Sequence, residues 1–357
     1  MPLAHSQMPN PTDRHAARPA PVRERATMED VARLAGVSLK SVSRVVNREP
    51  HVSDALRAKV ETAISHLAFV PDAAARSLAG SRTFIIGLLF DNPSPNYTIK
   101  IQAGVYRACK EHQYHLRIDT IESDRPAAEV EAQLDAIVRN SRCDGFILTP
   151  PLTDNAQVLS FLERHAIRYA RIAPNSDLGR SPSVAIDDAA AGALVARHLW
   201  ELGHRHFGIV SGPPEHRAGD RRRTGFLAEL ESLGGACTVI QANGNFLFEG
   251  GIAAGAELLT QDPRPTAIFA SNDDSAAGTM VACSRAGLRV PHDVSLCGFD
   301  DSWVAKSVWP YLTTIYQPIE EMGYAAASLL LDRDERGDRQ LTLDFHLVER
   351  DSLAPPA

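Results

Sequence analysis

Arg222, Asn272 and Asp300 are the residues whose chemistry can be named first. Each lies where alternating apolar runs and helical stretches place the end of a strand or the start of a helix. Arg222, in Arg222-Arg223-Thr224-Gly225-Phe226, opens a helix, while Asn272 and Asp273 follow the apolar strand Ala267–Ala270. Asp300 and Asp301 follow Val294–Gly298, Asp91 follows Ile85–Phe90, and Phe246 follows Thr238–Gln241. A guanidinium, several carboxylates and carboxamides, and an aromatic face are what a sugar requires. They give bidentate hydrogen bonds to adjacent hydroxyls and a flat surface for C–H faces. Each residue also has a plainer reading as a helix cap, above all Asn272, Asp273 and Asp300. A catalytic reading finds no GxSxG, no HExxH and no locally supported Cys–His pair. His204 and His206, separated by Arg205, read as a turn at a strand start rather than as metal ligands. Gly244, Gly250, Gly251 and Gly255 do not follow a strand in nucleotide-binding register, and no cofactor is called for.

A second kind of chemistry sits near the other end, in Thr27–Asn47. Met28, Val31, Ala32 and Ala35 form an apolar stripe behind the N-cap Thr27, with Asp30 placed to reach back to it. Gly36 supplies the left-handed turn and Ser38 caps a second helix. In that helix Val42, Val45 and Val46 face inward, leaving Leu39, Lys40, Ser41 and Arg44 outward. The pattern is that of a helix-turn-helix presenting polar and basic groups to DNA, or of an ordinary helical hairpin. Ser53 opens a third helix whose Leu56, Val60, Ile64 and Leu67 close a small core. The Ala-rich Asp72–Gly80 is either a linker or a helix of about two turns, too short to persist alone in water.

The elements that position these groups come from the whole chain. At 357 residues it is too long for one compact core. Residues 1–82 carry 12 Lys and Arg against 8 Asp and Glu, and the remainder 25 against 36. A basic head on an acidic body suits a module that meets phosphate joined to a body that does not. The N-terminus up to Arg25 has no apolar segment of a secretory signal and reads as a disordered tail. No apolar run reaches the roughly 18–20 residues of a membrane span. Five scattered cysteines without CxxC spacing argue against a disulfide framework or zinc site and fit a reducing cytoplasm. From Arg82 on, strands and helices alternate, which means parallel sheets flanked by helices, in two successive doubly wound α/β domains.

The run EDVARLAGVS-x3-VSRVVN, the following HVS and the RSLAG before a strand resemble the lactose-repressor (LacI/GalR) family of bacterial transcription regulators. The likeness runs to about Pro318 and more loosely to the last strand. It implies a homodimer whose recognition helices enter successive major grooves of a near-palindromic operator. Leu39, Lys40 and Arg44 would then meet base edges, and Thr27, Ser38, Ser41, Ser43, Asn47, His51 and Ser53 mainly phosphates. Ala75 and Leu78 would lie in a hinge helix, Leu78 as the wedge between base steps. The Arg-x-x-Gly-Phe, Ser-Asn-Asp and Gly-Phe-Asp-Asp motifs match the family's effector site and point to Arg222, Asn272 and Asp300. Tyr97, Asp187 and Phe246 fall at further contact positions, whereas the run Asp91–Tyr97 departs from the family pattern.

The expected layout is therefore a tail over 1–26, a helix-turn-helix head over 27–71, a hinge over 72–82 and a body over 83–352. Within the body a first subdomain takes 83–183 and 317–342, and a second 184–316 and 343–352. Two periplasmic-binding-protein-like subdomains would enclose a mono- or oligosaccharide effector. A transport-type sugar-binding protein shares that body but needs export and no head, the reverse of this sequence. The tail after the last strand has no leucine heptads, so a dimer rather than a tetramer is expected.

Overall fold

The computed structural model describes residues 26–46, 52–69, 82–332 and 339–357. Asn47, His51, Ala75 and Leu78, and with them residues 72–81 of the expected hinge, lie outside the described residues. The chain divides between Ser81 and Arg82 into two units, and each is taken by itself.

In the first unit, Thr27 and Asp30 form the capping box that their spacing predicts. The Asp30 amide donates to Thr27 Oγ1 at 3.2 Å and the Thr27 amide to Asp30 Oδ2 at 3.0 Å. Helix α1 (Met28–Ala35) ends at Gly36, whose φ of 64° needs a residue without Cβ strain. Ser38 Oγ accepts the Ser41 amide at 3.1 Å and starts α2 (Leu39–Val46). Ser53 does the same for α3 (Asp54–Leu67). Val31, Val42, Val45, Val60, Ala63 and Phe69 are buried together, with Met28, Ala35, Leu56, Ile64 and Leu67 around them.

The second unit holds two sheets. The first contains β1 (Ile85–Phe90), β2 (His115–Thr120), β3 (Gly145–Leu148), β4 (Tyr169–Ile172), β5 (Ser183–Ala185) and β11 (Gln340–Thr342). Its order is β11-β5-β4-β3-β1-β2, all parallel. Its connecting helices are α4 (Pro95–Glu111), α5 (Ala127–Ser141), α6 (Ala156–Arg164) and the returning α11 (Ile319–Leu331). The second contains β6 (His206–Ser211), β7 (Thr238–Asn243), β8 (Ala267–Ala270), β9 (Ser295–Phe299), β10 (Thr313–Tyr316) and β12 (His346–Val348). Its order is β12-β10-β9-β8-β6-β7, with β12 antiparallel to β10. Helices α7 (Asp188–Glu201), α8 (Arg217–Leu233), α9 (Phe248–Leu259) and α10 (Asp273–Arg285) connect it. Both sheets are doubly wound, and in each the strand order reverses beside the first strand, which is where such folds leave a crevice at the carboxyl ends.

Three strands differ from the sequence reading. β5 and β11, of three residues each, are too short for apolar periodicity to register, and β10, Thr313–Tyr316, opens on two threonines and lacks an apolar run. The boundary drawn at 183/184 cuts through β5, which pairs with β4, so the first crossing between subdomains lies after Ala185. The last strand is His346–Val348. Arg222 does not open its helix: α8 begins five residues earlier, at Arg217. No helix among the described residues is long and apolar enough to cross a membrane.

Candidate functional site

The carboxyl ends of the two sheets meet across a cleft, and one residue after another along its floor follows a strand. Asn92 and Ser94 come after β1, Pro150 after β3 and Ala173 after β4. His216 comes after β6, Phe246 after β7, Asn272 after β8, Asp300 after β9 and Gln317 after β10. Together with Tyr97 and Arg222 from α4 and α8 they line an inner pocket of about 30 Å³. Parallel strands delivering polar groups from their carboxyl ends is the ligand geometry of doubly wound folds.

Arg222 is the hub. Its Nε donates to Asp188 Oδ1 at 2.8 Å, one terminal nitrogen to the Ser271 carbonyl at 2.8 Å, and the other to Gln317 Oε1 at 3.0 Å. The guanidinium also lies 3.6 Å over the Phe299 ring. Asp300 Oδ1 stands 3.9 Å from it, outside hydrogen-bond range. Asp300 Oδ1, Tyr97 Oη and Ser271 Oγ are buried and have no hydrogen-bond partner among the described residues. Unpaired buried polar atoms are costly, and two of these, on Asp300 and Tyr97, belong to residues lining the pocket with Arg222, which marks a place that a polar ligand completes.

Burial dominates the titration of this site. It pushes the Asp300 carboxyl up to about 8, against the pull of Arg222. Asp188 is raised by burial although Arg222 opposes it, and Tyr97 is raised by burial and the nearby Asp300. His216 is brought down to about 4 by burial, so its ring is neutral at pH 7. The pocket therefore offers one cation, already paired with Asp188, and no free positive charge for an anion.

The two halves of the body touch across the pocket's mouth. Lys100 Nζ, on α4, donates to the carbonyls of Asp300 at 3.3 Å and Asp301 at 3.0 Å. Those two residues hold φ values of 104° and 41°, strained for residues with a Cβ, and the ammonium ties them down. Ser94 Oγ and Asn96 Nδ2 donate to the two oxygens of Asp274 at 3.1 and 2.7 Å, and Trp303 Nε1 donates to Asn96 Oδ1. Asp273 fixes the same loop from below, accepting from the Ser302 amide and the Thr314 hydroxyl at 2.6 Å each.

The structure brings together Tyr97, Arg222, Phe246, Asn272 and Asp300. Asn272 is both a cap and a wall: Oδ1 accepts the Ser275 amide while Nδ2 donates to the Phe246 carbonyl at 2.9 Å. The Phe246 ring fits only because position 212 is glycine, where a Cβ would lie 2.2 Å from the ring. Asp91 and Asp187 stand outside the inner pocket. Asp91 Oδ2 accepts the Ser123 amide at 2.8 Å and its hydroxyl, on the wall of a neighbouring groove. Asp187 is exposed and caps α7 through the Ala189 and Ala190 amides. Its neighbour Asp188 is the buried one that meets Arg222. Sequence reasoning missed Asp188, His216, Ser271 and Gln317. Asp188 left a signal as half of an Asp-Asp pair, and His216 as a polar residue after an apolar strand. Among the described residues no group of three or more His, Cys, Asp or Glu could hold a metal ion.

In the head, Leu39 is 46% exposed and Lys40 is exposed, side by side at the start of α2. Ser41, Ser43 and Arg44 are half-buried. Thr27, Ser38 and Ser53 each sit at the N-terminus of one of the three helices, all exposed. Helix N-termini present amides and a partial positive charge, which suits phosphate.

Residues 27–72 match the family described as bacterial regulatory proteins, lacI family, and 196–353 the periplasmic binding protein-like domain. The HTH-type transcriptional repressor PurR of Proteus mirabilis (strain HI4320) is 37% identical over 339 residues, covering 92% of this chain and 97% of the relative. The ribose operon repressor of Escherichia coli (strain K12) is 34% identical over 336 residues, covering 92% and 99%. Among solved structures, the Lac repressor dimer bound to operator and the anti-inducer ONPF superposes with a TM-score of 0.73 at 26% identity, covering 93% of this chain and 100% of that one.

Proposed function

The chain belongs to the LacI family of bacterial regulatory proteins, effector-controlled DNA-binding repressors, and from this we propose that its effector is a sugar held by Arg222 and Asp300. The observation that carries the proposal is the pair of orphaned polar atoms, Asp300 Oδ1 and Tyr97 Oη, on residues that line the pocket with Arg222. A polyhydroxylated ring supplies donors and acceptors to both at once, with C–H faces for Phe246. The protein acts by binding and not by catalysis. It works in the cytoplasm as a homodimer on a near-palindromic operator. The head over 27–71 reads DNA, the segment 72–82 is the hinge with Leu78 as wedge, and the body over 83–352 senses the sugar.

The inner pocket, at about 30 Å³, is far below the 300–1,000 Å³ usual for a small-molecule site. A sugar therefore enters by parting the contacts of Ser94, Asn96 and Lys100 with Asp274, Trp303 and the Asp300 loop. Parting and re-forming them moves α4 relative to the second sheet, and that displacement is what couples effector to DNA. The coupling is limited to the sugar's differential affinity for the two arrangements, commonly about 1–3 kcal/mol.

The test is direct. An operator is selected from random duplexes with the full-length protein, and its Kd is measured by fluorescence anisotropy with and without each of a panel of sugars. One sugar is expected to shift that Kd by roughly 5–150-fold. If no sugar moves it while a non-sugar metabolite does, the sugar reading falls.

A pH dependence follows from Asp300. A hydroxyl donating to its carboxylate favours the ionised form, which burial holds back until about pH 8. Sugar affinity is thus expected to rise between pH 6.5 and 8.5, with proton release near neutrality that calorimetry detects as a dependence on buffer ionisation enthalpy. Asp300→Asn is expected to bind more weakly and to lose that dependence.

A further inference from the structure

Beside the inner pocket runs a groove of about 930 Å³ between the two halves of the body. It and the pocket share two lining residues, Asn92 and His216, so the two spaces meet there. One space is too small for a whole ring and ends in orphaned polar atoms; the other is large and open to solvent. We propose that the groove is a second subsite, and that the effector is an uncharged oligosaccharide whose terminal ring reaches Arg222 while its next residue lies in the groove.

The proposal rests on the reading of the Arg222 cleft as a sugar site and adds length and charge to it. Length comes from the volumes. A ligand anchored at Asp300 and Tyr97 has its far side directed past His216 into the large groove that shares this residue with the pocket. Charge comes from the walls. Asp91, Glu122, Asp124, Asp154 and Glu215 line the groove against the single cation Arg217. Glu122 is held by Arg125, which stands outside the lining, and Asp154 accepts the amides of Asn175 and Ser176 and lies 3.9 Å from the buried Arg171. The excess of carboxylates still sets a negative potential that repels phosphorylated and uronic sugars. The apolar surface needed beneath a ring is supplied by Leu247, which is 38% exposed on the groove.

Calorimetry on the full-length protein separates the possibilities. The probes are neutral disaccharides of glucose, galactose, fructose, xylose and arabinose, their constituent monosaccharides, and hexose 6-phosphates. At least one disaccharide is expected to bind tenfold or more tightly than either of its halves, and the 6-phosphates to bind more weakly than the free hexoses. Leu247→Arg and, on the facing wall, Glu122→Arg should each raise the disaccharide Kd at least tenfold and leave the monosaccharide Kd within twofold. Both are surface positions, and unchanged operator binding without sugar verifies that each variant is folded. Arg222→Met should weaken both classes. A monosaccharide equal to the best disaccharide, groove variants without effect, or tightest binding by a 6-phosphate overturns the groove while leaving the sugar site in place. Sugar binding that survives Arg222→Met overturns the sugar site and the groove with it.

Discussion

Arg222→Ala is expected to abolish the response to sugar and to destabilise the body by about 3–5 kcal/mol, the cost of removing one partner of a buried ion pair. The variant takes away the donor to Asp188, the cap on the Ser271 carbonyl and the partner of Gln317, all within 3.0 Å of the guanidinium. What makes the loss large is what remains. Asp188 and Asp300 are both buried carboxyls that lean on the same cation, and without it only the weaker pull of Arg221 on one and Lys100 on the other opposes burial. Both are then pushed further toward the protonated form. A carboxyl whose folded pKa lies above its unfolded one contributes most below the unfolded value, and the contribution is lost as pH rises through the folded value. The variant's deficit should accordingly be smaller near pH 5 than near pH 8, read as denaturation midpoints of the body. Arg222→Met combined with Asp188→Leu should recover much of the stability, because an apolar pair of similar volume needs no compensation. It should not recover the response to sugar. If it does, Arg222 is a structural pivot and not a contact to the effector.

The history of this site in the sequence shows what a chain discloses about itself. Alternating apolar runs announced the sheets, and the strand-end rule then placed Asn272, Phe246 and Asp300 at the cleft, where they stand. The family likeness points to Asp187, but that residue caps α7 and its neighbour Asp188 meets Arg222. One step along a helix turns a side chain by about 100°, enough to send the second into the core. Asp91, a candidate ligand group by its place after β1, is held instead by Ser123, 32 positions away, and such pairings leave no local pattern. The contacts that close the cleft span still more of the chain: Ser94 and Asp274 are 180 positions apart, and Lys100 and Asp301 are 201. The start of α8 is hard to read because Arg217-Ala218-Gly219-Asp220-Arg221 carries no apolar periodicity, and its first turn is fixed by the His216 carbonyl, which accepts the Gly219 and Asp220 amides. The head was more legible than the body because its signals are local. The capping box, the Gly36 turn and the Ser38 cap all act within four residues.

That local legibility gives the second large effect, on DNA. Lys40→Ala is expected to cost about 1–3 kcal/mol per half-site on the selected operator, and to relax preference at one base position of each half-site. Lys40 is exposed on the first turn of α2, beside the exposed Leu39, while Val42 and Val45 on the other face hold the helix to the core. Removing it leaves the fold intact, so the loss belongs to recognition. The contrast is with Ser38. Its hydroxyl caps α2, and alanine there would confuse folding with binding. Aspartate caps as well as serine does, so Ser38→Asp keeps the helix and sets a negative charge where a phosphate is expected. That variant should weaken binding to operator and to random duplex by the same factor, with sequence preference unchanged. Binding measured across a library of operator variants at two salt concentrations tells the two apart. Should Lys40→Ala weaken every sequence alike while Ser38→Asp alters the preferred bases, the assigned faces of α2 are exchanged. The recognition surface would then lie on the capping end of the helix instead of on the Leu39–Lys40 edge.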